Sequence, residues 1–219
     1  MGRLRVKICC IASPAEARLA ADAGADMAGL VGPMPSGAGV ISPEACKKIA
    51  RTAPAWVTPV LLTSSETVID ILSNVRFGEV KAVQLVRHVE PWVHAELKAA
   101  EPGLRIMQVI HIEGPEALDL MRSYPLSDAF LLDSGRPLTE EFGGTGRTHD
   151  WSVSAEIVKS SPVPVFLAGG LNAANVGQAI ARVQPTGVDV CSGVRSEGRL
   201  DPAKLTAFMA AVADAKAAA

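Results

Sequence analysis

Three short stretches of this chain carry residue types that could do chemistry: a cysteine beside a lysine, a lone acid, and glycines suited to a small anion. The first is Lys7-Ile8-Cys9-Cys10, at the end of an apolar run. Side chains alternate along a strand, so Arg5, Lys7 and Cys9 share one face, and Val6, Ile8 and Cys10 share the other. The apolar face packs under neighbouring elements, which points Lys7 and Cys9 into the interior. An unpaired buried ammonium is costly, so Lys7 needs a partner or a purpose. It also favours the thiolate of a cysteine beside it. The second stretch is Leu131-Leu132-Asp133, an acid placed directly after an apolar run. An acid at a strand end is a candidate functional group, the more so because the segment after it is unusually long. The plainer alternatives are small buried thiols and an Asp capping a turn. The third stretch is a pair of glycine-bearing strand ends, Ala168-Gly169-Gly170 and Cys191-Ser192-Gly193. Backbone N–H groups there suit a phosphate, although tight turns also call for glycine.

Other polar residues sit within apolar surroundings at strand spacing. Gln84, Gln108 and Asp189 are expected to face the interior, where they must be hydrogen-bonded. His94 and His149 read as surface groups, and His88 and His111 as solvated positions near strand ends. The histidines have no metal-ligand spacing, and the four cysteines have no zinc-type CxxC pair. Residues 134–149 form a connection longer than most strand-to-helix loops, as active-site lids often do. Within it, Phe142-Gly143-Gly144-Thr145-Gly146 would let backbone approach a ligand, with Gly143 and Gly144 the candidate contacts.

These groups need a frame. The chain has 219 residues, is 48% hydrophobic and carries a formal net charge of −2, which excludes disorder. It offers no general electrostatic pull on nucleic acid. No apolar run is long enough to span a membrane, and no apolar segment follows the basic Met1–Arg5 start as in a signal peptide. A reducing cytoplasm is therefore expected. Eight candidate strands are Leu4–Cys9, Met27–Val31, Val57–Leu62, Ala82–Val86, Leu104–Ile110, Ala129–Leu132, Val163–Ala168 and Val188–Cys191. Each is followed by a helix-like segment, starting near Pro14, Pro43, Glu66, Pro91, Pro115, Ser152, Ala173 and Pro202. Ser13-Pro14-Ala15-Glu16 is a capping box, Ser42-Pro43 and Asp201-Pro202 repeat the cap-then-proline signal, and Asn172 is expected to cap another helix. Strand–helix alternation predicts an α/β fold. Eight regular units favour a closed (β/α)8 barrel over a doubly wound open sheet, as one domain over residues 1–219. In such a barrel the chemistry lies at the strand C-termini, where all three stretches fall.

The motifs also resemble a known family. Lys7-Ile8-Cys9, Gly24-Ala25-Asp26, Ser42-Pro43-Glu44-Ala45 and Ala82-Val83-Gln84-Leu85 are similar to phosphoribosylanthranilate isomerases of tryptophan biosynthesis. So are Leu131-Leu132-Asp133, Phe142–Gly146 with Asp150-Trp151, Gly169-Gly170-Leu171-Asn172, and Val188-Asp189-Val190 with Ser192-Gly193-Val194. They follow the family's order across nearly the whole chain. The resemblance implies a (β/α)8 barrel without cofactor or metal that performs an Amadori rearrangement on N-(5-phosphoribosyl)anthranilate. It implies Cys9 as general base and Asp133 as general acid. Lys7, Gln84, Gly143, Gly144, Gly169, Gly170, Asp189, Ser192 and Gly193 would contact substrate or its phosphate. The partner is a phosphorylated sugar, not nucleic acid or membrane, with monomer and homodimer both open. The alternatives are a paralogue isomerising another phosphorylated amino sugar and a non-catalytic phosphosugar-binding protein.

The chain departs from the family pattern in five places. Cys10 replaces a glycine, Gly39 an arginine near the substrate, Val86 a histidine, Gln108 a lysine and Arg195 an acidic residue. Arg87 and Arg195 are the candidate replacements for positive charge.

Overall fold

Eight apolar runs, buried on both faces over most of their length, become eight parallel strands. The computed structural model describes residues 3–34, 39–134 and 149–217. The strands are β1 (Arg5–Ile8), β2 (Met27–Val31), β3 (Thr58–Thr63), β4 (Ala82–Leu85), β5 (Arg105–His111), β6 (Ala129–Asp133), β7 (Val165–Leu167) and β8 (Gly187–Val190). They pair in chain order, and β8 returns to β1 with Val6 opposite Val188 and Ile8 opposite Val190. That last pairing closes the barrel and disposes of the open-sheet alternative.

Helices α1 (Pro14–Asp22), α2 (Pro43–Thr52), α3 (Val68–Gly78), α4 (Trp92–Ala100), α5 (Ala117–Arg122), α6 (Trp151–Ser160), α7 (Val176–Val183) and α8 (Pro202–Ala217) follow the strands in turn. A short antiparallel pair, β9 (Arg195–Ser196) and β10 (Arg199–Leu200), precedes α8. Among the described residues no helix is long and apolar enough to cross a membrane.

The caps anticipated from sequence hold at three helices. Ser13 Oγ accepts from Glu16 N at 3.2 Å, and Ser42 Oγ accepts from Ala45 N at 3.2 Å. Asp201 Oδ1 accepts from Ala203 N at 2.9 Å and Lys204 N at 3.1 Å. Each such cap contributes about 1 kcal/mol. Asn172 behaves differently. Its Oδ1 accepts from Ala174 N, and Asn175 Oδ1 accepts from Asn172 N, so the two amides build a turn. The helix therefore begins later, at Val176. Short amide side chains stabilise such turns as readily as they cap helices.

Burial separates into two apolar layers. Val6, Ile8, Val83, Leu85, Ile106 and Ile110 pack with the helices outside the barrel wall. Inside lie Leu62, Val86, Met107, Val109, Leu131 and Phe166, which fill the barrel and leave polar groups only at particular levels.

Candidate active site

The floor of the site is a buried ion pair. Lys7 is completely buried and donates from Nζ to Asp189 Oδ1 at 2.8 Å. The two residues are register partners across the β1–β8 seam, so pleating alone aims both inward. Burial disfavours the ammonium, but the Asp189 carboxylate and the Cys9 thiol beside it hold Lys7 above the ordinary lysine range. Burial pushes the Asp189 carboxyl up to about 7, against the pull of Lys7. Each charge depends on the other for its solvation.

Two residues further along the strands lie the groups with exchangeable protons. Asp133 ends β6, and its Oδ1 accepts from Ser134 N at 2.7 Å. Burial, with the nearby Asp189 and Cys9, pushes its carboxyl up to about 6 against the opposing effects of the Ser134 N–H and His111. His111 ends β5 directly opposite Asp133. It is buried, with Nε2 donating to Val86 O at 3.0 Å, so the expectation of a solvated His111 is corrected. Its odd position on β5, shared with Met107 and Val109, turns it into the barrel. His88 stands 5.5 Å away, ring centre to ring centre, and burial lowers its pKa to about 4.

Cys9, Cys10 and Cys191 form one packed thiol cluster at the β1–β8 edge of the mouth. The backbone sets it, because Cys9 N donates to Val190 O at 2.8 Å and Cys191 follows Val190. Cys10 shares its S–H with both neighbours, Cys9 donates to Cys191, and Cys191 only accepts. Those two donors pull Cys191 down to about 4, while Cys10 is raised by giving its proton to Cys191 and Cys9. Cys9 is raised: the Cys10 S–H and Lys7 lower it, but donation to Cys191 and burial outweigh them. Of the three thiols, Cys191 is the one whose ionisation its neighbours favour.

Cys10 reaches inward because its backbone is left-handed, with φ +62°. This turns it off the outer face that strict alternation assigns it. A Cβ built on Gly39 would lie 2.6 Å from Cys10 Cβ, and Gly39 itself has φ +77°. The Cys10 side chain and any side chain at 39 thus compete for one space, which links two of the departures from the family pattern. Gly39→Ala is expected to cost about 2 kcal/mol, through strain and overlap. In a Cys10→Gly background the cost should drop by about 1 kcal/mol, read as a coupling in urea unfolding. An unchanged cost would separate the two positions.

The loops after β7 and β8 meet. Gly169 and Gly170 have φ of +84° and +62°. A Cβ on Gly193 would sit 2.0 Å from Leu171 O, so only glycine allows the Ser192–Val194 turn of 3₁₀ helix to lie against the β7 loop. The two glycine-bearing strand ends therefore form one surface. Gly143 and Gly144, with the rest of 135–148 and with residues 35–38, lie outside the described residues.

Several expectations need correction. Gln84 does face the interior, where its Oε1 is buried without a hydrogen-bond partner among the described residues. Gln108 does not. It shares the outward parity of Ile106 and Ile110, and its Oε1 accepts from His94 Nε2 at 3.1 Å beneath α4. Met107 holds the inward position at that level, so Gln108 belongs to the wall. His94 is correspondingly buried and stacked on Tyr124, not a surface group. His149 is half-buried and bonds Ser154 Oγ at 2.7 Å. Arg195 is turned away from the mouth. It donates to Cys9 O at 3.2 Å, to Cys10 O, to Glu16 Oε2 at 3.2 Å and to Gly198 O at 2.9 Å. Arg87 pairs with Glu66 at 3.1 Å.

Fold and site define a (β/α)8 barrel with acid–base groups gathered at the strand C-termini. Comparison with known proteins narrows that class. The family profile described as N-(5'phosphoribosyl)anthranilate (PRA) isomerase matches residues 6–211, and the chain belongs to that family. N-(5'-phosphoribosyl)anthranilate isomerase 2 of Methanosarcina mazei is 37% identical over 211 residues, covering 94% of this chain and 92% of its own. The corresponding isomerase of Methanocella arvoryzae is 36% identical, covering 89% and 91%. The Thermotoga maritima phosphoribosyl anthranilate isomerase structure superposes with TM-score 0.84 at 28% identity, covering 97% of this chain and 100% of that one. A further isomerase structure, at TM-score 0.82 and 26% identity with 97% and 100% coverage, is a complex with reduced 1-(o-carboxyphenylamino)-1-deoxyribulose 5-phosphate.

Proposed function

We propose that this chain converts N-(5-phosphoribosyl)anthranilate to 1-(2-carboxyphenylamino)-1-deoxyribulose 5-phosphate in tryptophan biosynthesis, without a cofactor. The observation that carries this reading is the facing of Cys9 and Asp133 into one barrel mouth, with Asp133 pushed up to about 6. A carboxyl so placed keeps a proton to give near neutral pH.

Asp133 donates to the furanose ring oxygen. The C1–O bond breaks while the substituent nitrogen lone pair forms a C1=N bond. The Cys9 thiolate removes the proton from C2, and the C2–H electron pair becomes the C1=C2 bond of an enolamine. Loss of the O2 proton and protonation at C1 complete the ketone. Asp133 has then lost a proton and Cys9 has gained one, so both must be reset before the next turnover.

Gly169, Gly170, Ser192 and Gly193 offer the phosphate a continuous backbone surface. Lys7 and Asp189 form the charged floor beneath Cys9, and Gln84 Oε1 is an acceptor for a substrate donor. The protein works in the cytoplasm, as a monomer or homodimer, on a phosphorylated sugar and not on nucleic acid or a membrane.

A second reading has its own observation, the Cys10 side chain in the space an arginine at 39 would use. It is the same rearrangement on a phosphorylated amino sugar with a different aglycone. Turnover of freshly generated phosphoribosylanthranilate, followed by loss of its fluorescence, tests both. Cys9→Ala is expected to lower kcat about a hundredfold or more, with little change in KM. A folded wild-type protein that binds inorganic phosphate but does not turn this substrate over would overturn the first reading and favour the second.

A further inference from the structure

Only one member of the thiol cluster is needed to take the C2 proton. Cys10 and Cys191 remain, and their arrangement has a chemistry of its own. Cys191 is partly exposed at the mouth, whereas Cys10 and Cys9 are buried behind it. Cys10 is held against Cys191 by its left-handed backbone, by Gly39 packed on its Cβ, and by Arg195 bound to its carbonyl. The reachable sulfur thus has a second sulfur fixed in contact with it, and neither belongs to a structural disulfide.

We infer that Cys191 and Cys10 form a peroxide-oxidisable dithiol site at the barrel mouth, with Cys191 the reacting sulfur and Cys10 the resolving one. The Cys191 thiolate attacks one oxygen of a hydroperoxide. The O–O bond breaks, sulfur is oxidised by two electrons to the sulfenic acid, and the released hydroxide takes a proton to leave as water. The Cys10 sulfur then attacks that sulfur as its S–H proton passes to the departing hydroxyl. An S–S bond forms, the S–O bond breaks, and a second water departs. Overall, two thiols and one hydrogen peroxide give one disulfide and two waters. Cys191 is the sulfur that solvent reaches, and its neighbours hold its thiol below the ordinary cysteine range, which favours the first step. The reaction does not rest on the isomerase reading, because it consumes thiols and not substrate.

The test is a thiol count with peptide mapping on the full reduced chain. The protein is exposed to a slight molar excess of hydrogen peroxide, denatured, alkylated with iodoacetamide and digested without reductant. The expected result is loss of two of the four free thiols, a mass lower by two hydrogens, and a linked pair containing Cys10 and Cys191. Dithiothreitol should restore all four. Cys10→Ser and Cys191→Ser should each abolish the link, while Cys46→Ser should keep it. Wild-type mapping carries the answer if a serine variant fails to fold. Four surviving thiols, oxygen added irreversibly to one cysteine, or a disulfide that persists in Cys10→Ser would each overturn the assignment.

Discussion

Asp133→Asn is expected to lower kcat by about a hundred- to ten-thousand-fold while leaving KM nearly unchanged, because the amide keeps the shape but has no acidic proton. The wild-type pH profile should carry the same signature. The acid must be protonated, so kcat/KM falls as pH rises through about 6, where Asp133 titrates. At pH 7 roughly one Asp133 in ten still holds its proton, enough for turnover. In Asp133→Asn the alkaline limb should vanish with the activity. Stability falls over the same pH range in the wild type, and here the variant gains where in activity it loses. A folded-state pKa above the ordinary Asp value means that stability from this group is fully present below about 4 and is lost as pH rises through about 6. Asparagine has no such loss, so the variant should gain on the wild type across that window in urea unfolding. An undiminished kcat, or an alkaline limb retained in the variant, would remove Asp133 from the acid's role.

Lys7→Met should destabilise the protein by about 3–5 kcal/mol, because it strands the buried Asp189 carboxylate. Asp189→Asn should cost a similar amount by stranding the ammonium. The two variants differ in their response to pH. Asp189 can escape by taking a proton, so Lys7→Met regains stability as pH falls. Lys7 can escape by losing one, so Asp189→Asn regains stability as pH rises. The double variant Lys7→Met/Asp189→Asn should recover most of the loss, since neither charge then lacks its partner. Urea midpoints at pH 6 and pH 9 distinguish these trends. Parallel pH responses in the two single variants would show that the pair is not the source of the cost.

Strand parity explains both the successes and the errors of sequence reading at this site. Arg5-Val6-Lys7-Ile8-Cys9 alternates charged with apolar residues, so the direction of Lys7 and Cys9 is legible. In β5, Ile106-Met107-Gln108-Val109-Ile110 is apolar on both faces, as expected of a strand buried between barrel core and helices. The glutamine then gives no clue to its side. His94 Nε2 and the Arg87 carbonyl, both distant in sequence, hold it in the wall. His111 was obscured by the same ambiguity, although its place two residues beyond Val109 contains the needed parity. The barrel itself was legible because eight apolar runs recur along the chain, each followed by a helix-like segment, three of them opened by a proline-marked cap. Asn172 misled because an Asn-rich turn and an N-cap use the same local hydrogen bonds. Cys10 escaped because a left-handed backbone at a non-glycine residue breaks the alternation on which the reading relied.

The Arg195 clamp carries a consequence for how the protein is made. Its bonds to the Cys9 and Cys10 carbonyls span 186 and 185 residues, and the Lys7–Asp189 pair spans 182. On a ribosome, the first strand emerges long before the segment that fixes it. Cys9 therefore spends nearly the whole of synthesis without the neighbours that orient it, and Lys7 without its counter-charge. Such distant closures slow folding and leave an open edge exposed meanwhile. A nascent chain ending before Val188 is expected to remain sensitive to protease at its N-terminal strand, and protection should arrive only once Arg195 has left the exit tunnel.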